Sequence, residues 1–180
     1  MLTVGDRFPT FNLKACVSAE QSDNAFIDIS NESDSGTWKV FFFYPKDFTF
    51  ICPTELVEFD QAFPEFDSAN VKLYGVSTDT EHVHRAWRSS REDIGGLRYP
   101  LISDIRKDLS MALGILNRDE AVCHRATFIV NPEGIIMHVS CNHHDVGRNP
   151  QEILRTVQGF QTGDLCACNW QKGDNHVTAA

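Results

Sequence analysis

The chain lacks several features, and each absence closes off a class of function. No stretch approaches the ~20 consecutive apolar residues needed to cross a bilayer, and residues 1 to 15 hold no basic-then-apolar leader pattern. The expectation is a soluble, cytoplasmic protein without a membrane role. No block of Lys or Arg occurs, and with 16 basic against 25 acidic residues the formal charge is -9, which argues against binding nucleic acid or an anionic membrane. Cysteine is sparse for a disulfide-stapled secreted scaffold: there are six in 180 residues, at 16, 52, 123, 141, 166 and 168, far apart except for the last pair. Internal repeats, low-complexity segments and a convincing linker are also missing. What remains is one ordinary globular domain with 42% hydrophobic residues and thiols held in a reducing compartment, some of them for reactivity.

Apolar runs alternate with segments of helical period, the pattern of an α/β domain. Residues 38 to 44 (WKVFFFY) read as a strand buried on both faces. Leu56, Phe59, Phe63 and Phe66 predict a helix over 54–67. A strand follows at 71–77 and a helix at 80–92. After Pro100 come a short Leu101-Ile102 run, a helix near 107–112, and a strand at 126–130. Asn131-Pro132-Glu133-Gly134 is a turn by composition, so a strand at 135–140 makes an antiparallel hairpin. A closing helix is expected over 150–162 after Asn149-Pro150. This order is compatible with a thioredoxin-like core in which a mixed central sheet is flanked by helices. Residues 1–163 form the expected domain, and 164–180 a weakly attached tail carrying two cysteines and Trp170.

Cys52 falls between a buried strand and a helix, one residue before Pro53, whose missing N–H costs nothing in a first helical turn. That placement directs free backbone N–H groups and the positive end of the helix dipole at the sulfur, favouring thiolate over thiol. Ionisation alone does not make a thiolate fast against an O–O bond, because nucleophilicity falls as acidity rises. Donors for the transition state are also needed. Thr49, three residues earlier, and Arg125, at the entrance to the 126–130 strand, are the candidates.

The stretch Pro45-Lys46-Asp47-Phe48-Thr49-Phe50-Ile51-Cys52-Pro53-Thr54-Glu55 resembles the active-site signature of the peroxiredoxins. Val4 to Pro9 resembles the family's opening, His84-Arg85-Ala86-Trp87 its second helix, and Arg125 to Val130 its arginine-bearing strand. Asp145 to Arg148 and the Cys166-Ala167-Cys168-Asn169-Trp170 tail extend the likeness to nearly the whole chain. The resemblance implies a thioredoxin-like fold with peroxiredoxin extensions and a thiol-dependent hydroperoxide reductase serving antioxidant defence. It implies that Cys52 becomes a sulfenic acid, that Pro45, Thr49 and Arg125 complete the site, and that Glu55 and Arg148 form a supporting ion-pair network. Cys166 matches the resolving cysteine, which in relatives closes an intersubunit disulfide. The Cys-Ala-Cys form is similar to one group of bacterial alkyl hydroperoxide reductase C subunits, so Cys168 relays or shares that disulfide.

The family further implies homodimers that join into a ring, typically a decamer. No metal, haem or nicotinamide is bound to such a chain, and electrons arrive from a thiol protein: an AhpD-like reductase first, with thioredoxin or AhpF as alternatives. Two departures matter. Easily over-oxidised members carry Gly-Gly-Leu-Gly and a terminal Tyr-Phe helix, whereas this chain has Gly95-Gly96-Leu97-Arg98 and no Tyr-Phe. A readily released tail and a Cys52 resistant to over-oxidation are expected.

Blander readings compete at single residues. Cys16, Cys123 and Cys141 read as structural. Thr49 is also a plausible local cap, Arg125 a plausible surface charge, and Glu55 favourable for the helix dipole alone. Cys166 and Cys168 with His143-His144 lack the usual ligand spacing for zinc. His82, His84 and His124 read as solvated or polar-packed, with His124 adjoining the site. A protein-disulfide exchanger would need Cys-x-x-Cys, but Glu55 stands three residues after Cys52. A holdase-like assembly and a one-cysteine peroxidase are the remaining rivals.

Overall fold

The computed structural model describes residues 1–178. It divides into two compact units, Met1–Arg148 and Asn149–Ala180.

The first unit begins with two strands that periodicity did not reveal, β1 (Asn12–Cys16) and β2 (Phe26–Ser30), each only five residues long. Then come β3 (Trp38–Phe43), α1 (Ile51–Gln61), α2 (Phe63–Ser68), β4 (Val71–Ser77), α3 (Glu81–Ser90), the short α4 (Glu92–Gly95), β5 (Leu101–Ser103) and α5 (Asp108–Leu113). The two-residue strands β6 (Leu116–Asn117) and β7 (Val122–Cys123) pair with each other, and β8 (Arg125–Val130) and β9 (Ile136–Asn142) close the unit. Seven strands form one sheet in the order β2-β1-β5-β4-β3-β8-β9. The β3–β4 and β4–β5 pairs are parallel, each bridged by a helical crossover, and the others are antiparallel. The expected hairpin is β8–β9.

β3 sits inside this sheet and buries both faces. Phe42 stacks on Phe59 of α1 with ring centroids 4.0 Å apart. On the other face Phe41 lies between Phe8, at 4.4 Å, and Tyr74, at 4.8 Å, in a core that includes Phe128 and Leu109 and Leu113 of α5. Helices therefore flank both faces, as expected for a thioredoxin-like fold. Each fully buried side chain of this size contributes about 1.5–3 kcal/mol.

The helix expected over 54–67 starts earlier and is broken. It runs from Ile51, placing Cys52 inside the first turn, and stops before Ala62, where α2 begins with Pro64 in its first turn. A proline inside a helix removes one N–H and clashes with the carbonyl four residues back, here that of Asp60. That carbonyl instead accepts from Arg98 Nη2.

The second unit comprises α6 (Pro150–Thr162) and the tail. Asn149 caps the helix, its Oδ1 accepting from the N–H groups of Gln151 (3.0 Å) and Glu152 (3.4 Å), with Pro150 in the first turn. Gly163, at φ 72°, ends it in the left-handed conformation that glycine adopts without strain. Trp170 is buried; its indole donates to Asp174 O, its carbonyl accepts from Arg155 Nη1 (3.2 Å), and its ring stacks on His176. Cys166 is half-buried beside Gly159, where a Cβ would come within 3.6 Å of its sulfur, whereas Cys168 is exposed. No helix among the described residues is long and apolar enough to cross a membrane.

Candidate active site

β3 aims the chain at a loop, residues 45–50, that leads into α1. A buried polar knot fixes this loop. Asp47 Oδ1 accepts from the Tyr44 hydroxyl at 2.9 Å, its Oδ2 lies 2.7 Å from His84 Nδ1, and its backbone N–H donates to Asp79 Oδ2 at 2.9 Å. His84 is wholly buried, so of the two readings for it the polar-packed one holds. Burial raises the Asp47 carboxyl, against the opposing pull of the His84 contact. So anchored, the loop admits a left-handed residue, Phe48 at φ 55°, and delivers Phe50 to the N-cap of α1.

Phe50 makes no side-chain cap, so the first-turn N–H groups of α1 are left for other partners. Cys52 occupies that turn. Its side chain is buried, yet it lines a cleft of about 230 Å³ together with Pro45, Lys46, Thr49, Phe50, Ile51, Glu120, Arg125 and His144. The sulfur thus lies in the floor of an opening wide enough for a small molecule. The Thr49 hydroxyl donates to Lys46 O at 2.9 Å, which leaves its oxygen to accept from a ligand in the cleft.

Arg125 opens β8 and turns inward. Its Nη1 lies 3.3 Å from Cys52 Sγ and also donates to Glu55 Oε2 at 2.7 Å, while its Nε donates to the His144 carbonyl at 2.8 Å. Glu55, one turn along α1 from Cys52, is the hub of the charges below. Its Oε1 accepts from Arg148 Nε (2.7 Å) and the Arg148 backbone N–H (3.0 Å), and its Oε2 from Arg148 Nη2 (2.8 Å). Arg148 Nη1 is further fixed by the carbonyls of Phe43 and Ala126. Burial alone would push the Glu55 carboxyl up. The bonds and charge of Arg148, with the charge of Arg125, outweigh burial and hold it below the usual carboxylate range. Arg125 is conversely held above its ordinary value: burial opposes its charge, but Cys52 and Glu55 more than offset that.

The structure thus brings Pro45, Thr49, Cys52 and Arg125 into one cleft, with Glu55 and Arg148 beneath it. Cys166 and Cys168 belong to the second unit. Lys46, Glu120 and His144 line the cleft without having been singled out as site residues. Two other thiols are sealed in the first unit: Cys16 Sγ donates to Ser18 O, and Cys123 Sγ donates to Tyr44 O at 2.9 Å, with burial driving the Cys123 thiol far above its ordinary value.

Residues 4–139 match the AhpC/TSA family. The chain belongs to that family. It is 42% identical to an alkyl hydroperoxide reductase C of Mycolicibacterium smegmatis over 99% of this chain and 95% of that one. Among solved structures, Mycobacterium tuberculosis AhpC superposes with a TM-score of 0.87 at 42% identity, covering 95% of this chain and 99% of that one. A reduced Plasmodium vivax 2-Cys peroxiredoxin gives 0.89 at 35% identity, covering 98% and 93%. The expectation of a peroxiredoxin, an antioxidant thiol peroxidase on a thioredoxin-like fold, therefore holds.

Proposed function

We propose that this peroxiredoxin reduces hydrogen peroxide and organic hydroperoxides to water and alcohols, using Cys52 as the peroxidatic thiolate. The Cys52 sulfur attacks the terminal oxygen; an S–O bond forms, the O–O bond breaks, and the departing alkoxide or hydroxide takes up a proton. Arg125 stabilises the charge moving onto the leaving oxygen, Thr49 accepts from the peroxide hydroxyl, and Pro45 shields the sulfur from water. Glu55 and Arg148 hold Arg125 in place. The observation that carries this reading is a single guanidinium within 3.3 Å of the sulfur and fixed from behind by a buried carboxylate. Relatives named for alkyl hydroperoxide reduction support the substrate class.

In the second half-reaction Cys166 of a neighbouring subunit attacks the Cys52 sulfenic acid, forming a disulfide and releasing water, with Cys168 as relay. A reducing thiol protein restores both thiols: an AhpD-like reductase first, thioredoxin or AhpF otherwise. The subunits pair as homodimers that join into a decameric ring; β9, one of the two edge strands of the sheet, offers an edge for a second copy. No metal, haem or nicotinamide takes part, and the work is placed in the cytoplasm.

Two assays test this together. Cys52→Ser abolishes peroxide consumption with every candidate reductant, and surviving turnover ends the proposal. On non-reducing gels, one equivalent of peroxide gives a dimer in wild type and none in Cys166→Ser; a persistent monomeric sulfenic acid in wild type favours one-cysteine chemistry instead.

A further inference from the structure

One imidazole, that of His144, lines the cleft, and a second, that of His124, stands against it. His144 Nε2 lies 3.1 Å from His124 Nδ1, and the rings are 5.0 Å apart at their centroids. His124 immediately precedes Arg125 on the way into β8. His144 sits in the loop after β9, and its own carbonyl accepts from Arg125 Nε at 2.8 Å. The loop and the strand entry are therefore tied at two points, ring to ring and guanidinium to carbonyl, with Arg125 inside the closed circuit. We propose that the His124–His144 pair is a clasp that positions Arg125 on Cys52, making both histidines positioning residues for peroxide cleavage.

The geometry supports a positioning role in two ways. Glu55 fixes Arg125 through Nη1, the same atom that reaches the sulfur, so the tilt of the guanidinium depends on the contact at Nε. The acceptor there is a backbone carbonyl in a loop pinned at its far end by Arg148 on Glu55; nearer His144 the ties are Asn142 Nδ2 to the Val146 and Gly147 carbonyls at 3.3 Å each, Val146 N–H to His143 O at 3.2 Å, and the exposed His143–Asp145 contact at 3.1 Å. The ring pair is the side-chain bond that ties His144 to the strand carrying Arg125.

Proton arithmetic gives the clasp a pH dependence. Two neutral rings share one N–H···N bond, and one extra proton leaves that bond in place. A second proton sets two donors face to face and breaks it. The groups facing the pair are Arg125 of β8, Glu120 of the β6–β7 turn, Lys46 of the 45–50 loop bonded to Glu120 at 3.3 Å, Cys52 of α1, and His143 with Asp145 on the same loop. Burial, His124, Arg125 and His143 together outweigh Glu120 and hold the His144 ring below its ordinary value. Holding the His144 ring low favours its neutral form, and with it the closed clasp.

The proposal rests on Cys52 and Arg125 being the reacting pair, and the test separates the two claims. The rate of Cys52 oxidation by hydrogen peroxide and the rate of Cys52 alkylation by iodoacetamide are measured from pH 5 to 8 in wild type, His144→Leu, His144→Asn, Arg125→Met and Cys52→Ser. His144→Leu is expected to slow peroxide oxidation about tenfold, within the roughly 100-fold that a misplaced group can cost, with alkylation changed by less than about twofold. His144→Asn, which can still bond His124, recovers most of the rate. The wild-type ratio of oxidation to alkylation falls towards acid, and in His144→Leu it is flat. An unchanged oxidation rate or an equally sloped ratio in His144→Leu, with Arg125→Met still strongly slowed and Cys52→Ser still inactive, overturns the clasp and leaves the peroxidase reading standing. An active Cys52→Ser overturns both. Equal loss of oxidation and alkylation in His144→Leu also overturns the clasp, because it shows general disruption of the site.

Discussion

Arg125 and Cys52 meet at 3.3 Å across a gap of 73 residues, at the junction between the start of β8 and the first turn of α1. The donor is already engaged with Glu55 at 2.7 Å, so the guanidinium is held in place beside the sulfur before any reaction there. Preorganisation of this kind is what electrostatic catalysis requires.

Replacing Arg125 with Met, of similar length but uncharged, is expected to lower the rate of Cys52 oxidation about 100-fold or more, the usual consequence of losing one such donor. Lysine does not restore it, because its one nitrogen cannot stand both at the Nη1 position that meets Cys52 and Glu55 and at the Nε position that meets the His144 carbonyl. Stopped-flow measurement of the first oxidation checks both variants.

Glu55→Gln removes the negative charge shared by two buried guanidinium groups and puts an NH2 donor where one acceptor oxygen stood, and a loss of about 3–5 kcal/mol of stability is expected because both positive charges stay buried. The pH dependence has a definite sign. A carboxyl held low in the fold stabilises it above the unfolded pKa of about 4.3, and that stability is lost as pH falls through the lower folded value. Thermal melts between pH 3 and 6 should show a wild-type advantage over Glu55→Gln that is full at pH 6 and shrinks towards pH 3. An advantage that grows on acidification contradicts the assignment.

Thiol labelling of the native, reduced protein should separate the cysteines by environment. Cys16 and Cys123, buried and bonded to backbone carbonyls, are expected to alkylate only on unfolding, while exposed Cys168 labels freely. Mass spectrometry of partly labelled protein reads this directly. Fast native labelling at Cys123 would show that the strand entry opens far more often than its burial implies.

Over-oxidation tests the tail. No helix follows α6 among the described residues, so the tail should release quickly and let the disulfide form before a second peroxide arrives. Cys52 sulfinic acid is therefore expected to be scarce after a few turnovers at low micromolar peroxide. Its accumulation would point to slow release, held by the Trp170 contacts with Arg155 and Asp174.

Much of this was legible in the chain. β3 and its Phe run, the β8–β9 hairpin with its Asn131–Gly134 turn and α6 with its Asn149 cap all follow local rules. β1 and β2 were not legible, because five residues with mixed polarity carry little periodic signal and owe their place to pairing with each other and β5. The break at Pro64 was hidden because Phe59, Phe63 and Phe66 keep a helix-like spacing across it. Within the site, Cys52 could be placed from Pro53 and the preceding strand. Read residue by residue, Glu55 showed only a helix-dipole role; its pairing with Arg148 came from the family resemblance alone, because 93 residues separate them and only the fold sets them 2.7 Å apart. His144 was unreadable in this respect, since its partner lies 20 residues away and only tertiary structure sets the rings together.

The central claim is that the first oxidation falls on Cys52. In a Cys166→Ser, Cys168→Ser variant treated with one equivalent of hydrogen peroxide and then a sulfenic-acid trap, peptide mass spectrometry should find the adduct on Cys52, and the yield should collapse when Arg125 is also replaced by Met. An adduct on Cys16, Cys123 or Cys141, or one spread evenly over the thiols, would contradict the account.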